Sequence, residues 1–149
     1  MSLSFKVNHK DSGTLARSGE LTIRGQKVPT PVFMPVGTVG AVRAVSPFEL
    51  ERAGAKIVLA NTYHLSIRPG EGLIQKAGGL HKFMGWKGII LTDSGGFQIF
   101  SLPKVKVNDQ GVSFQYEVDG SKVFLSPERS MQIQNALGAD IIMAFDECV

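Results

Sequence analysis

Uninterrupted apolar runs, bounded by Gly, Pro, Asn and Asp, divide this chain more clearly than any other pattern. Four of them cover residues 31–36, 56–61, 88–93 and 140–146. The centres Ile57-Val58-Leu59-Ala60, Ile89-Ile90-Leu91 and Ile141-Ile142-Met143-Ala144 are continuously apolar. A strand covered on both faces requires that, and such strands are typically parallel. Pro35 deletes a ladder donor inside the first run, so that strand is expected to be irregular or to end early.

Helices with legible caps lie between the runs. Ser46-Pro47-Phe48-Glu49 offers a serine N-cap, a proline at the first helical position and a glutamate three residues on, and that helix stops at Gly54. Ser126-Pro127-Glu128 opens a second helix, ended by Gly138, and a third is predicted over residues 70–77, closed by Gly78-Gly79. The string Gly54-Ala55-Lys56-Ile57-Val58-Leu59-Ala60 recurs as Gly138-Ala139-Asp140-Ile141-Ile142-Met143-Ala144. Helix, glycine stop and buried strand form the repeating unit of an α/β architecture.

Two other stretches alternate. Leu21 and Ile23, a turn at Arg24-Gly25-Gln26 and then Val28 predict one hairpin. Val112, Phe114, Tyr116 and Val118, then Asp119-Gly120, then Val123 and Leu125 predict another. Four parallel strands with two inserted hairpins in 149 residues fit half of an eight-stranded βα barrel or a small open sheet. The glycine fingerprint of a nucleotide-binding open sheet is absent.

Composition narrows the class. With 43% hydrophobic and 19% charged residues, the chain reads as one ordinary globular domain. No apolar run approaches the roughly 20 residues of a membrane helix, so no membrane partner is expected. The first ten residues lack a signal peptide's apolar centre, and the lone Cys148 cannot form an internal disulfide, which together fit a cytoplasmic location. The net charge of +3 is compatible with a polyanionic partner without requiring one, and basic residues spread from Lys6 to Arg129 without forming a run.

Polar residues gather just past three of the apolar runs, where α/β folds place their sites. They are Asn61-Thr62-Tyr63-His64, Asp93-Ser94-Gly95-Gly96-Phe97-Gln98 and Asp146-Glu147-Cys148. Asp93 follows an apolar strand directly; it is either a partly desolvated general base or the cap of the next turn. Ser94-Gly95-Gly96 either presents backbone N–H groups to a ligand or is a tight turn, and it lacks the lysine of a phosphate-binding P-loop. Asp146, Glu147 and Cys148 with His64 are zinc-ligand types without diagnostic spacing. Alternatively, the carboxylate of Asp146 is a recognition group whose two oxygens match a ring N–H beside an exocyclic amine. Phe97 either stacks on a planar ligand or belongs to the core.

Phe33-Met34-Pro35-Val36-Gly37-Thr38, Asn61-Thr62-Tyr63-His64-Leu65 with Arg68-Pro69-Gly70, Leu91 through Gln98, and Phe145-Asp146-Glu147-Cys148 follow one another in a particular order. Together they resemble the amino-terminal part of the tRNA-guanine transglycosylases, also called queuine tRNA-ribosyltransferases. The resemblance implies an irregular eight-stranded βα barrel, here its amino-terminal half over residues 1–149, with inserted hairpins and a zinc-binding subdomain elsewhere. It implies a pentosyl transfer in which guanine at the wobble position of a tRNA anticodon is exchanged for a 7-deazaguanine, the queuosine precursor, through a covalent ribosyl enzyme.

Residue by residue, the resemblance implies that Asp93 handles the proton and that Ser94, Gly95, Gly96 and Phe97 bind substrate. Asp146 recognises the base beside Cys148, with Asn61 and His64 supporting the pocket. It further implies a homodimer and a structural zinc. The attacking aspartate, the zinc ligands and the main tRNA-binding segment are expected beyond Val149, so these 149 residues alone are expected to be inactive. Two competing readings are a non-catalytic tRNA-binding subunit and a metal-dependent barrel hydrolase using His64, Asp93 and Asp146.

Overall fold

Alternation near the amino terminus becomes an antiparallel sheet in the computed structural model, which describes residues 3–100, 102, 104–116 and 120–146. Strands β1 (Leu3–Lys10), β2 (Arg17–Ile23) and β3 (Gln26–Thr30) lie side by side in that order. Arg24 and Gly25 turn the β2–β3 hairpin with φ of 52° and 76°, the positive values a two-residue hairpin loop demands. Gln26, predicted in the turn, instead pairs with Ile23.

Proline decides where the next strand starts. Residues 31–35 form no strand and β4 is only Val36–Gly37, because Pro31 and Pro35 have no N–H to give a ladder. The strand predicted at 31–36 is corrected accordingly. The Pro35 carbonyl still accepts from Leu59 N at 2.9 Å.

Local signals then give α1 (Pro47–Arg52), where the Ser46 hydroxyl accepts from Glu49 N at 3.2 Å and Glu49 accepts from Ser46 N at 2.7 Å. A cap of this kind contributes about 1 kcal/mol. After Gly54 the chain enters β5 (Ile57–Ala60), α2 (Thr62–Ile67), α3 (Glu71–Lys76), α4 (Leu80–Met84) and β6 (Ile89–Thr92). Here α3 is the helix predicted at 70–77, whereas α2 and α4 have no counterpart among the predicted elements. The short α5 (Gly96–Phe100) also starts within residues read as a turn. Strands β7 (Lys106–Asn108), β8 (Gly111–Gln115) and β9 (Lys122–Leu125) form a second antiparallel sheet. Val118 and Asp119 of the predicted hairpin lie outside the described residues. Helix α6 (Pro127–Leu137), capped by Ser126 and stopped by Gly138 at φ 72°, leads to β10 (Ile141–Ile142).

The parallel prediction holds: the four strands order as β10-β6-β5-β4, with Ile57 opposite Ile89, Val36 opposite Leu59 and Ile142 opposite Thr92. Strand periodicity sends Val58, Ala60 and Ile90 to one face, where they pack with Leu50, Leu65, Ile74, Leu80, Ile133 and Leu137 of the helices. Ile57 and Ile89 face the other way and meet Ile23 and Val28 of the amino-terminal hairpin. That hairpin is tied beneath the sheet by the Asp140 side chain, 2% exposed, which lies 2.6 Å from Arg24 Nε and 3.0 Å from His81 Nε2. Asp140 also accepts from Ile90 N at 2.9 Å. The architecture is mixed α/β, and no closed barrel is formed among the described residues.

Candidate functional site

Because β5, β6 and β10 are parallel, their carboxyl ends lie along one edge, away from the Asp140 tie. Asp93 stands immediately after β6. Its Oδ2 accepts from Asn61 Nδ2 at 2.6 Å, and its Oδ1 accepts from Thr62 N at 2.9 Å and Gly95 N at 3.1 Å. Thr62 Oγ1 donates to the Asp93 carbonyl at 2.5 Å. Asn61 is shared between two tasks, since its Oδ1 also accepts from His64 N as the N-cap of α2. The carboxylate thus uses three of its roughly four acceptor positions and keeps one open on Oδ2.

Burial pushes the Asp93 carboxyl above its ordinary 3.8; the donors from Thr62, Gly95 and Asn61, and the nearby His64, pull the other way without cancelling it. Asp93 thus ties the Gly95 turn and is at the same time a partly desolvated carboxylate.

Ser94 points its chemistry toward the next strand. Its Oγ donates to Asp146 Oδ1 at 2.5 Å and accepts from Gly96 N at 3.1 Å, while its carbonyl accepts from Ser130 Oγ at 2.6 Å. Asp93 and Asp146 are thereby joined through adjacent backbone, one braced against the end of β5 and the other reached from Ser94. Gly95 adopts φ 83°, and a Cβ there would sit 3.3 Å from Tyr63 N. A Cβ on Gly96 would lie 2.6 Å from the Asp146 carbonyl. Gly96→Ala should therefore displace the Asp146 segment, costing about 1–3 kcal/mol in thermal or denaturant unfolding of the full-length protein. An unchanged unfolding midpoint would show that the segment yields freely.

Phe97 is 68% exposed, which removes it from the core. Glu147 and Cys148 lie outside the described residues. Among the described residues, no group of three or more His, Cys, Asp or Glu is placed to hold a metal. His64, Asp93 and Asp146 thus do not form the metal centre that the hydrolase reading needs, and the described residues do not fit a zinc site. A cavity of about 110 Å³ opens beside Asp146, lined also by Phe145, Pro127 and the β7–β8 turn, with Asp93 outside its lining.

Three supporting roles escape the sequence reading, which names Thr62 among the polar residues after β5 without a task and does not single out Ser130 or Gln134. Thr62 clamps Asp93 from both its N–H and its hydroxyl, Ser130 holds Ser94, and the fully buried Gln134 ties β6 to the β10 segment. Gln134 Oε1 accepts from Thr92 Oγ1 and from Met143 N, each at 2.9 Å, and its Nε2 donates to Met143 O at 2.9 Å. A side-chain amide here takes the place of a neighbouring strand, so the ladder predicted over 140–146 shrinks to two residues. The signal was present: Ser130 and Gln134 share the helical stripe of Ile133 and Leu137, where polar side chains must find buried partners.

Residues 11–149 match the family model described as queuine tRNA-ribosyltransferase. A queuine tRNA-ribosyltransferase of Thermotoga neapolitana is 60% identical over 146 residues, 98% of this chain and 39% of the relative. Those of Desulforamulus reducens and Enterococcus faecalis are each 54% identical, over 99% and 98% of this chain and 40% and 39% of the relative. The chain spans about two fifths of the length of the curated relatives it matches. A match over nearly the whole chain assigns this chain to the queuine tRNA-ribosyltransferase family.

Proposed function

We propose that this chain forms part of an enzyme that exchanges guanine in tRNA for a 7-deazaguanine, the queuosine precursor. The observation that carries the proposal is the Asp93 carboxylate: desolvated, positioned by Asn61, Thr62 and Gly95, and bonded through its neighbour Ser94 to a second carboxylate.

In the proposed exchange the ribose anomeric carbon passes from guanine to an enzyme carboxylate and then to the incoming base. Asp93 gives a proton to the ring nitrogen of the departing guanine as that bond breaks and takes one back from the ring nitrogen of the incoming base as the new glycosidic bond forms. Asp146 accepts from the base's ring N–H and exocyclic amine, Gly95 and Gly96 admit the base close to the backbone, and Phe97 stacks on it. Cys148 is proposed as a further substrate-binding residue, and the attacking carboxylate comes from sequence outside these 149 residues.

The half-barrel assignment is part of the proposal. Helices cover one face of the parallel sheet, as on the outside of a βα barrel, while Val36 and Met143 at its upper end are 52% and 46% exposed. A structural zinc is proposed to lie outside the described residues, and a homodimer in the cytoplasm remains the expected state. No helix among the described residues is long and apolar enough to cross a membrane.

Incorporation of labelled guanine into tRNA by the full-length protein tests the activity, and no incorporation would overturn it. Its pH dependence carries a sign. In the ribosyl enzyme a protonated Asp93 cannot accept the incoming base's proton, so kcat/KM for guanine should fall with decreasing pH through a value above the ordinary 3.8. For stability the sign is reversed, because a raised folded-state value means that Asp93's contribution is complete at pH below the unfolded value and is lost as pH rises through the folded one. An exchange rate flat across that acid range would separate Asp93 from the proton transfer.

A further inference from the structure

The β7–β8–β9 sheet has two faces of opposite chemistry. Its inner face carries Val112, Phe114 and Leu125, all buried in the main core. Strand register places Lys106, Ser113 and Phe124 in one row of the other face, and Gln115 and Lys122 in the next. Lys104 joins them in lining a recess of about 410 Å³.

No carboxylate among the described residues lines this recess, and none of its three lysines has an ion-pair partner among them. Elsewhere on the surface such pairs do form, as between Lys27 and Glu20 and between Arg129 and Glu71. Three like charges on one surface repel each other, and an anion removes that repulsion. Phe124, 48% exposed in the middle of the lysines, adds an aromatic surface for a ribose or a base.

The position of the recess narrows the choice of anion. The far end of the same strands, with Asn108, Asp109 and Gly111, lines the cavity beside Asp146. Lys106 lies two residues from Asn108 on β7, roughly 7 Å away along an extended strand. A nucleic-acid strand with one base at Asp146 would continue directly across the lysines.

We propose that this basic face binds the phosphodiester backbone of the RNA next to the exchanged nucleotide, an inference that rests on the guanine-exchange reading of the site. The lysines act as positioning residues for the RNA strand and leave the free base untouched.

The test uses the full-length protein carrying Lys106→Ala and Lys122→Ala together. The expected result is a tRNA KM raised about five- to tenfold at low salt, with kcat and guanine KM within about twofold of the parent. The dependence of log(kcat/KM) on log salt should become shallower by about 1.4, at ~0.7 for each lost single-strand contact. Lys106→Arg with Lys122→Arg should restore both. If the alanine pair melts below the parent, the single Lys106→Gln and Lys122→Gln variants carry the comparison.

An unchanged tRNA KM and salt slope in folded variants would overturn the proposal. Direct tRNA binding, followed by fluorescence anisotropy, separates it from the activity. A parent protein that binds tRNA through these lysines yet exchanges no guanine would overturn the reaction and support this face. Exchange with lysine-independent tRNA binding would overturn this face alone.

Discussion

Asp93→Asn in the full-length protein is expected to lower guanine exchange by about 10²–10⁴-fold, the range for loss of a positioned proton acceptor. The substitution also creates a conflict that can be checked separately. The new amide can keep its oxygen on Thr62 N and Gly95 N, but its nitrogen would then face the Asn61 amide nitrogen, donor against donor. Asn61 cannot turn over without withdrawing its oxygen from His64 N and uncapping α2. Combining Asn61→Asp with Asp93→Asn resolves the conflict, because a carboxylate at position 61 can accept from the amide at position 93 and still cap the helix. Stability should recover in that double variant while exchange does not, since the carboxylate now sits at the cap of α2 instead of after β6. Exchange restored with the hydrogen bonds would reduce Asp93 to a turn brace, and exchange unchanged in the single variant would remove it from the chemistry.

The parts of this architecture that were legible in the sequence are those set by a few adjacent residues. Ser46-Pro47-Phe48-Glu49 and Ser126-Pro127-Glu128 both start helices where expected, because a hydroxyl acceptor, a fixed φ and a missing N–H act within one turn. Gly54 and Gly138 both take positive φ and hand the chain to a parallel strand, as their repeated context implies. The parallel strands were legible for the same reason, in Ile57–Ala60 and Ile89–Thr92 at least. Helix α2 was hidden because Asn61 ends the strand influence and caps the helix at once, leaving no Gly or Pro to mark the junction.

Edge strands were also hidden. β1 alternates Leu3, Phe5 and Val7 with polar neighbours, yet those three side chains are 67%, 49% and 37% exposed, so no core demand fixes them as a strand. β7 is three residues long, below the length at which alternation can be read.

The candidate site divides along the same line. Asp93, Asp146 and the glycine turn stood out because they follow apolar runs, and the structure places them on one edge. Their braces lie far away in sequence: Thr62 is 31 residues from Asp93, and Ser130 is 36 from Ser94. The β5–β6 pairing brings Thr62 to Asp93, and the packing of α6 against the β6 turn brings Ser130 to Ser94. The basic face depends even more on tertiary register, since Lys106 and Lys122 reach one surface through β8 between them.

Asp146→Ala should act on binding rather than on the proton transfer, and the geometry gives that distinction content. Asp146 Oδ1 already accepts from Ser94 Oγ at 2.5 Å, which fixes the carboxylate's direction while leaving Oδ2 available to a base N–H. A hydrogen bond to a charged group contributes about 1.5–3 kcal/mol, so its loss predicts a guanine KM raised about 10- to 100-fold. The tRNA KM should change far less, because that term is dominated by phosphate contacts. Asp146→Asn sharpens the test: it preserves shape but offers a donor where the base also donates, so it should bind guanine no better than the alanine variant. Ser94→Ala leaves the acid in place and removes its support, and a smaller rise in guanine KM is expected from it. If Asp146→Ala leaves guanine KM unaltered but lowers the unfolding midpoint, the Ser94–Asp146 bond is a structural clasp between β6 and the β10 segment, and base recognition must be sought on other residues.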